Sequence, residues 1–284
     1  MIQKLILTVS LLSLSIYANG EINTDPKEVQ LEQSGWQPLI YKHVGEIELK
    51  LWHMPPKVAT RNQPTPAMVF YYGGGWRARN ITHFRRQGEE LAALGMHVFL
   101  PDYRAWKAYG GSPFDCVEDA KSAMRYIRLN ADDFKIDPNR IAAGGGSAGG
   151  HLAAACALVP ELNAPDDPDI SARPDALILF NPVYDNGPEG YGYNRIKDRW
   201  PEISPLHHIN SNAPPNIVFL GTEDELIPVE TGQAWQAKMK AANVRSELYL
   251  YEGRGHGFFN GGKEYTDTIE KMTEFLRSLG YIEQ

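Results

Sequence analysis

With 284 residues, 43% of them hydrophobic, the chain is long enough to bury one large core, because α/β domains of about 250 residues routinely fold without splitting. Its formal net charge of −7 argues against a nucleic-acid partner, which would need a broad cationic face. No linker tract, like-charge block or internal repeat divides the chain, so a single domain is expected over residues 21–284.

Residues 1–20 place Lys4 ahead of an apolar run at 5–16, followed by the small residues Ala18 and Gly20. That is the pattern of a signal peptide, and it falls short of the roughly 20 apolar residues that span a bilayer. A periplasmic or extracellular protein, with no stable membrane insertion after cleavage, is the expectation. From 39 to 54 two extended segments flank Gly45-Glu46 and read as an antiparallel hairpin. Short apolar runs follow at 67–72, 97–101, 141–143, 176–180, 217–220 and 248–251, each suited to a strand covered on both faces. Between them, helical patterns occupy 84–94, 116–129, 148–159, 230–242 and 264–279. Such alternation implies a mostly parallel sheet with helices on both faces, and ligands in such sheets bind beyond the carboxyl ends of the strands.

The run Gly144-Gly145-Gly146-Ser147-Ala148-Gly149-Gly150 contains G-x-S-x-G between a strand and an apolar helix. In that setting the serine sits on a strained turn with its hydroxyl clear of the backbone, and Ser147 is the candidate nucleophile. A phosphate-binding glycine loop fits less well, because no lysine follows the turn. After the strand at 67–72 comes Gly73-Gly74-Gly75-Trp76, where backbone N–H groups of Gly74 and Gly75, with that of Ala148, can converge on a developing oxyanion.

These stretches, together with Pro101-Asp102-Tyr103-Arg104 and Asp137-Pro138-Asn139-Arg140-Ile141, resemble the hormone-sensitive-lipase-like esterases and the bacterial carbohydrate esterases of acetyl-xylan and feruloyl type. The resemblance runs over residues 67–279 and implies an α/β-hydrolase fold with a small cap insertion. Tyr72 stands where the lipase branch carries a histidine that steadies the glycine loop, so support for that loop must come from elsewhere.

The same resemblance implies a triad in the chain order serine, acid, histidine. Three carboxylates, Glu223, Asp224 and Glu225, follow the strand at 217–220, and related proteins carry the acid at the position of Asp224. His256, flanked by Gly255 and Gly257 after the next strand, is the candidate base; His151 lies one helical turn inside the helix behind Ser147 and reads as a packing residue. No metal and no cofactor is expected, since neither HExxH nor CxxC occurs. Substrate choice is expected in the 183–212 insertion and the 105–113 loop, with Trp76, Trp106, Tyr184 and Trp200 as candidate substrate-binding rings. The reading that follows is a serine carboxylesterase acting on short acyl groups, on a small-molecule or carbohydrate ester. A serine peptidase of related fold and a catalytically inactive binding protein are the alternatives.

Overall fold

The computed structural model describes residues 25–58 and 63–283; the signal-peptide pattern at 1–20 lies outside them. An N-terminal helix α1 (Pro26–Gln33), capped by Asp25 through the N–H of Lys27, leads into the hairpin β1 (Gln37–Val44) and β2 (Ile47–Met54). The order then runs β3 (Thr65–Tyr71), α2 (Arg85–Ala93), β4 (His97–Pro101), α3 (Trp106–Tyr109), α4 (Pro113–Leu129), α5 (Ala131–Phe134), β5 (Ile136–Gly146) and α6 (Ala148–Leu158). After β6 (Ala176–Phe180) comes the cap with α7 (Tyr193–Ile196), then β7 (Asn216–Gly221), α8 (Val229–Ala241), β8 (Ser246–Tyr251) and α9 (Gly262–Ser278).

The strands form one eight-stranded sheet in the order β1-β2-β4-β3-β5-β6-β7-β8, antiparallel at the β1, β2 and β4 edge and parallel from β4 onward. Every residue of β3, β4, β6 and β7 is buried, which is why these segments read as unbroken apolar runs rather than alternating ones. Right-handed crossovers put α2 and α9 on one face, joined by Arg86 stacked on Tyr265, and α4, α6 and α8 on the other. Among the described residues no helix is long and apolar enough to cross a membrane.

The register is what positions the site. Tyr71 pairs with Gly145, Gly146 with Phe180, and Gly221 with Tyr251, so the parallel strands end level with one another. Gly73, Ser147, Asn181, Asp224 and His256 therefore emerge along a single rim, around the point where the chain turns from β4 on one side of β3 to β5 on the other. Beneath it, Phe84 stacks on Phe70 at 4.8 Å and on Phe259 at 5.7 Å, and Phe259 packs on Phe180 at 4.7 Å. This aromatic layer makes a rigid floor, since ring pairs of this kind add stability beyond their area alone.

Candidate active site

Ser147 occupies the single-residue turn between β5 and α6 with φ 54° and ψ −120°, a conformation that costs a non-glycine residue about 1–3 kcal/mol. Neighbouring backbone holds it there. Its N–H donates to the Phe180 carbonyl at 3.0 Å, and its own carbonyl accepts from Val183 and His151 at 3.2 and 3.0 Å. The helix can start this close to β3 because Gly149 has no side chain: a Cβ at that position would lie 2.0 Å from the Tyr71 carbonyl oxygen. Gly145 is constrained the same way, 2.4 Å from the same oxygen. The serine is thus aimed from the positive end of α6, where a developing negative charge is favoured.

Of the three consecutive carboxylates after β7, Asp224 is the one that reaches His256, with Oδ2 2.8 Å from Nδ1. Its other oxygen accepts from the N–H groups of Leu226 and Ile227 at 2.9 and 3.0 Å, so the fully buried carboxylate is held at both ends. A proton on Nδ1 of His256 leaves the Nε2 lone pair free to accept, which is the tautomer a general base requires. Nε2 lies 3.3 Å from the side-chain amide nitrogen of Asn181, whose oxygen accepts from Gly257 N–H at 3.0 Å. Ser147 and His256 approach the same end of β6, one bonded to Phe180 and the other to Asn181.

The glycine loop is held from several sides. Gly73 donates its N–H to His83 Nδ1 at 3.0 Å, and His83 Nε2 in turn donates to Asn260 Oδ1 at 3.0 Å, linking this loop to the segment that carries His256. Burial pushes the His83 imidazole down to about 4, and its role as acceptor from Gly73 depends on that neutral form. Gly74 closes a turn by accepting from Arg77 and Ala78, and the Gly75 carbonyl accepts from Arg195 Nη1 at 2.6 Å. Among the described residues no acceptor takes the N–H of Gly74, Gly75 or Ala148, the last being an unpaired donor of the first turn of α6.

Tyr72, the residue at the family's histidine position, points into the protein. Its ring stacks on Tyr103 at 4.0 Å, its hydroxyl donates to Asp102 Oδ1 at 2.7 Å, and the Tyr103 hydroxyl returns a bond to the Tyr72 carbonyl at 2.9 Å. Asp102, 1% exposed, also accepts from Tyr103 N–H, Tyr109 hydroxyl and Arg79. His151 is fully buried, accepts from Trp76 Nε1 at 3.3 Å and donates to the Ile203 carbonyl at 2.9 Å, so it ties the loop to the cap. Burial holds its imidazole near 4.

The four rings singled out for substrate contact fall in different surroundings. Trp106 is 54% exposed, whereas Trp76 is buried against His151 and Tyr184 is buried in a 4.2 Å stack on Trp235. Trp200 is half-buried against His207. A cleft of about 380 Å³ opens beside the glycine loop between Trp106, Trp76 and Arg195. The sequence pattern does not single out His83 or Asn181, nor the bond from the cap residue Arg195 to Gly75. Asn181 had a usable signal, since it directly follows a strand whose end faces the site; His83 and Arg195 had none, because their partners are 10 and 120 positions away.

Comparison with known proteins gives two family matches, BD-FAE over residues 54–173 and the Dienelactone hydrolase family over residues 191–280. Esterase 2 of Thermogutta terrifontis in its apo form superimposes with a TM-score of 0.84 at 40% identity, covering 88% of this chain and 97% of that one; structures of the same protein are titled as propionate-bound and butyrate-bound. Esterase LipC of Mycobacterium tuberculosis is 33% identical over 226 residues, 69% of this chain and 54% of its own. An acetylxylan esterase of Xylanibacter ruminicola is 26% identical over 232 residues, 75% of this chain and 45% of its own. The chain spans about half the length of the curated relatives it matches first.

Proposed function

The chain belongs to the esterases of the α/β-hydrolase fold, and from that premise we propose that it is a serine carboxylesterase in which Ser147, His256 and Asp224 form the triad. The observation that carries this reading is the buried Asp224 carboxylate bonded to Nδ1 of His256, on the same rim as the strained Ser147 turn. In the proposed reaction His256 Nε2 takes the Ser147 proton as the hydroxyl oxygen attacks the ester carbonyl, and Asp224 stabilises the imidazolium. The free N–H groups of Gly74, Gly75 and Ala148 bind the oxyanion, each such donor contributing about 3 kcal/mol to the transition state. His256 then returns the proton to the departing alcohol, and water repeats the cycle on the acyl-enzyme.

The acyl group is short and the alcohol polar in this reading. The cap carries Asp185, Glu189, Asn194, Arg195, Lys197, Asp198 and Arg199, most of them exposed, beside which a long acyl chain would lie against groups that stay hydrated, whereas Asn186 is buried within the cap. Propionate and butyrate in the related esterase structures, and the acetylxylan esterase among the relatives, support the same choice and bring an acetylated carbohydrate into view as the substrate. The leader-like pattern at 1–20 supports export before the enzyme acts. The test is a series of aryl esters from acetyl to decanoyl on purified protein and on Ser147→Ala. The expected result is turnover confined to short esters and lost by at least about a thousandfold in the variant; a rate that climbs toward decanoyl, or survives in Ser147→Ala, overturns it.

A further inference from the structure

Among the described residues, two cations stand at the cleft beside the glycine loop with no carboxylate to balance them. Arg77 and Arg195 both line it, and among the described residues neither makes an ion pair. Other arginines of this region are neutralised: Arg79 meets Asp25, Glu28 and Asp102, and Arg104 meets Asp115, Glu118 and Asp119. Arg77 and Arg195 are instead held by rings and one carbonyl. The Arg77 guanidinium lies 5.1 Å from the Trp106 ring centre, and that of Arg195 lies 5.8 and 5.4 Å from Trp76 and Tyr191 while one nitrogen donates to Gly75. A planar cation fixed in this way keeps several N–H donors unused, and those donors match a carboxylate in a two-pronged geometry that lysine cannot offer.

The surroundings sharpen the contrast. The protein carries a net charge of −7, so a doubly cationic spot beside the glycine loop is a local reversal of sign that attracts anions to one place. On the other side of Tyr191 a second cleft is lined by Asp185, Glu189, Glu225 and Glu230. An anionic group is therefore favoured at one end of the site and repelled at the other. We propose that Arg77 and Arg195, with the exposed ring of Trp106 as a wall, form a subsite for a carboxylate carried by the ester substrate. The proposal rests on the esterase reading above and adds the charge of its substrate.

Two pairs of matched esters test it and locate the carboxylate: acetylated methyl galacturonoside against acetylated methyl galactoside for the alcohol side, and aryl hemisuccinate against aryl butyrate for the acyl side. The expected result is a kcat/KM preference for the anionic member of one pair on the order of tenfold, shrinking at about 0.5 M salt, where charges are screened within a few ångströms. Arg77→Met and Arg195→Met should each reduce the preference, and Arg77→Lys should restore part of it by returning charge without the fork. Titration of Ser147→Ala protein with the same galacturonoside and galactoside esters reads binding without turnover. If no ester is hydrolysed yet that protein binds the galacturonoside more tightly, the esterase reading fails and the subsite stands. A preference at or below unity in both pairs, or one that neither methionine variant alters, overturns the subsite.

Discussion

The Ser147 turn and the Gly73-Gly74-Gly75 loop lie against each other at the ends of β5 and β3, both rich in glycine and both assigned to one reaction by the proposed function, yet they are secured by different means. Backbone secures the turn: Ser147 is bonded to Phe180, His151 and Val183 through main-chain atoms, and α6 presses on the end of β3 where Gly149 permits it. Beyond the local main-chain turn at Gly74, side chains secure the loop, through His83 on Gly73, Arg195 on Gly75, and Tyr72 on Asp102. A feature held by backbone packing tolerates almost no change at its few glycines. One held by dispersed side chains tolerates each loss separately.

The largest effect should therefore come from adding one methyl group to the turn. In Gly149→Ala the new Cβ would meet the Tyr71 and Tyr72 carbonyl oxygens at 2.0 and 2.6 Å, both main-chain atoms that cannot rotate away. The strand and helix must separate, and a loss of stability of about 3 kcal/mol is expected, with activity falling alongside. Urea unfolding measures it, and a variant as stable and active as the parent would show that backbone contact is not what holds the turn.

A smaller loss should follow Tyr72→Phe, which keeps the stack on Tyr103 but removes one donor from the buried Asp102 carboxylate. With Tyr103 N–H, Tyr109 and Arg79 remaining, the cost should be about 1.5 kcal/mol, within the usual range for a bond to a charged group. Unfolding curves that coincide with those of the parent would remove Tyr72 from the loop's support.

This division also explains what is legible in the sequence. G-x-S-x-G, the glycine run and the glycine-flanked His256 are local patterns whose meaning depends on a strand before and a helix or loop after, and hydrophobic runs revealed those strands because both faces of the sheet are covered. The hairpin turn at Gly45-Glu46 and the long helices emerged for the same reason, within a few residues of their ends. Helix α1 and the short helices α3 and α7 are not legible because four to eight residues carry no readable period. Nor are the loop's supports, because they are brought together by strand order: β4 delivers Asp102 and Tyr103 to Tyr72, and the segment after β8 delivers Asn260 to His83. Trp76 and Tyr184 drew attention as rings near strand ends, and only packing distinguishes them, as buried, from the exposed Trp106.

His83 offers a gentler probe of the loop. His83→Ala frees Gly73 N–H and uncouples the loop from Asn260, and a misplaced donor set should lower kcat on the order of tenfold with KM little changed. His83→Gln, which can still accept from one neighbour and donate to the other, should recover most of the rate. Equal losses in the two variants would mean that the ring fills space and does not position the loop.

The same residue sets the smallest effect and the one most particular to a side-chain support, because a backbone-held turn contributes no titrating group. Burial lowers His83 from 6.5 to about 4 in the folded protein, while the unfolded chain protonates it near its ordinary value. Between those two values the unfolded state binds more protons, so stability falls as pH falls, by up to about 1.4 kcal/mol per pH unit for each such histidine. His53, His97 and His151 are lowered to about 3, 4 and 4 by burial and act in the same direction, so the parent should lose stability steadily from pH 6.5 downward. Carboxylates whose folded values are depressed, such as Asp115 and Asp137, enter only at lower pH, which leaves the interval from 6.5 to 5.5 to the histidines. In His83→Gln one of these groups is gone, and the stability lost over that interval should be smaller than in the parent by about 1 kcal/mol. Urea midpoints at the two pH values read the difference directly. An unchanged loss would mean that His83 is protonated in the folded protein, and the bond it accepts from Gly73 could not then exist.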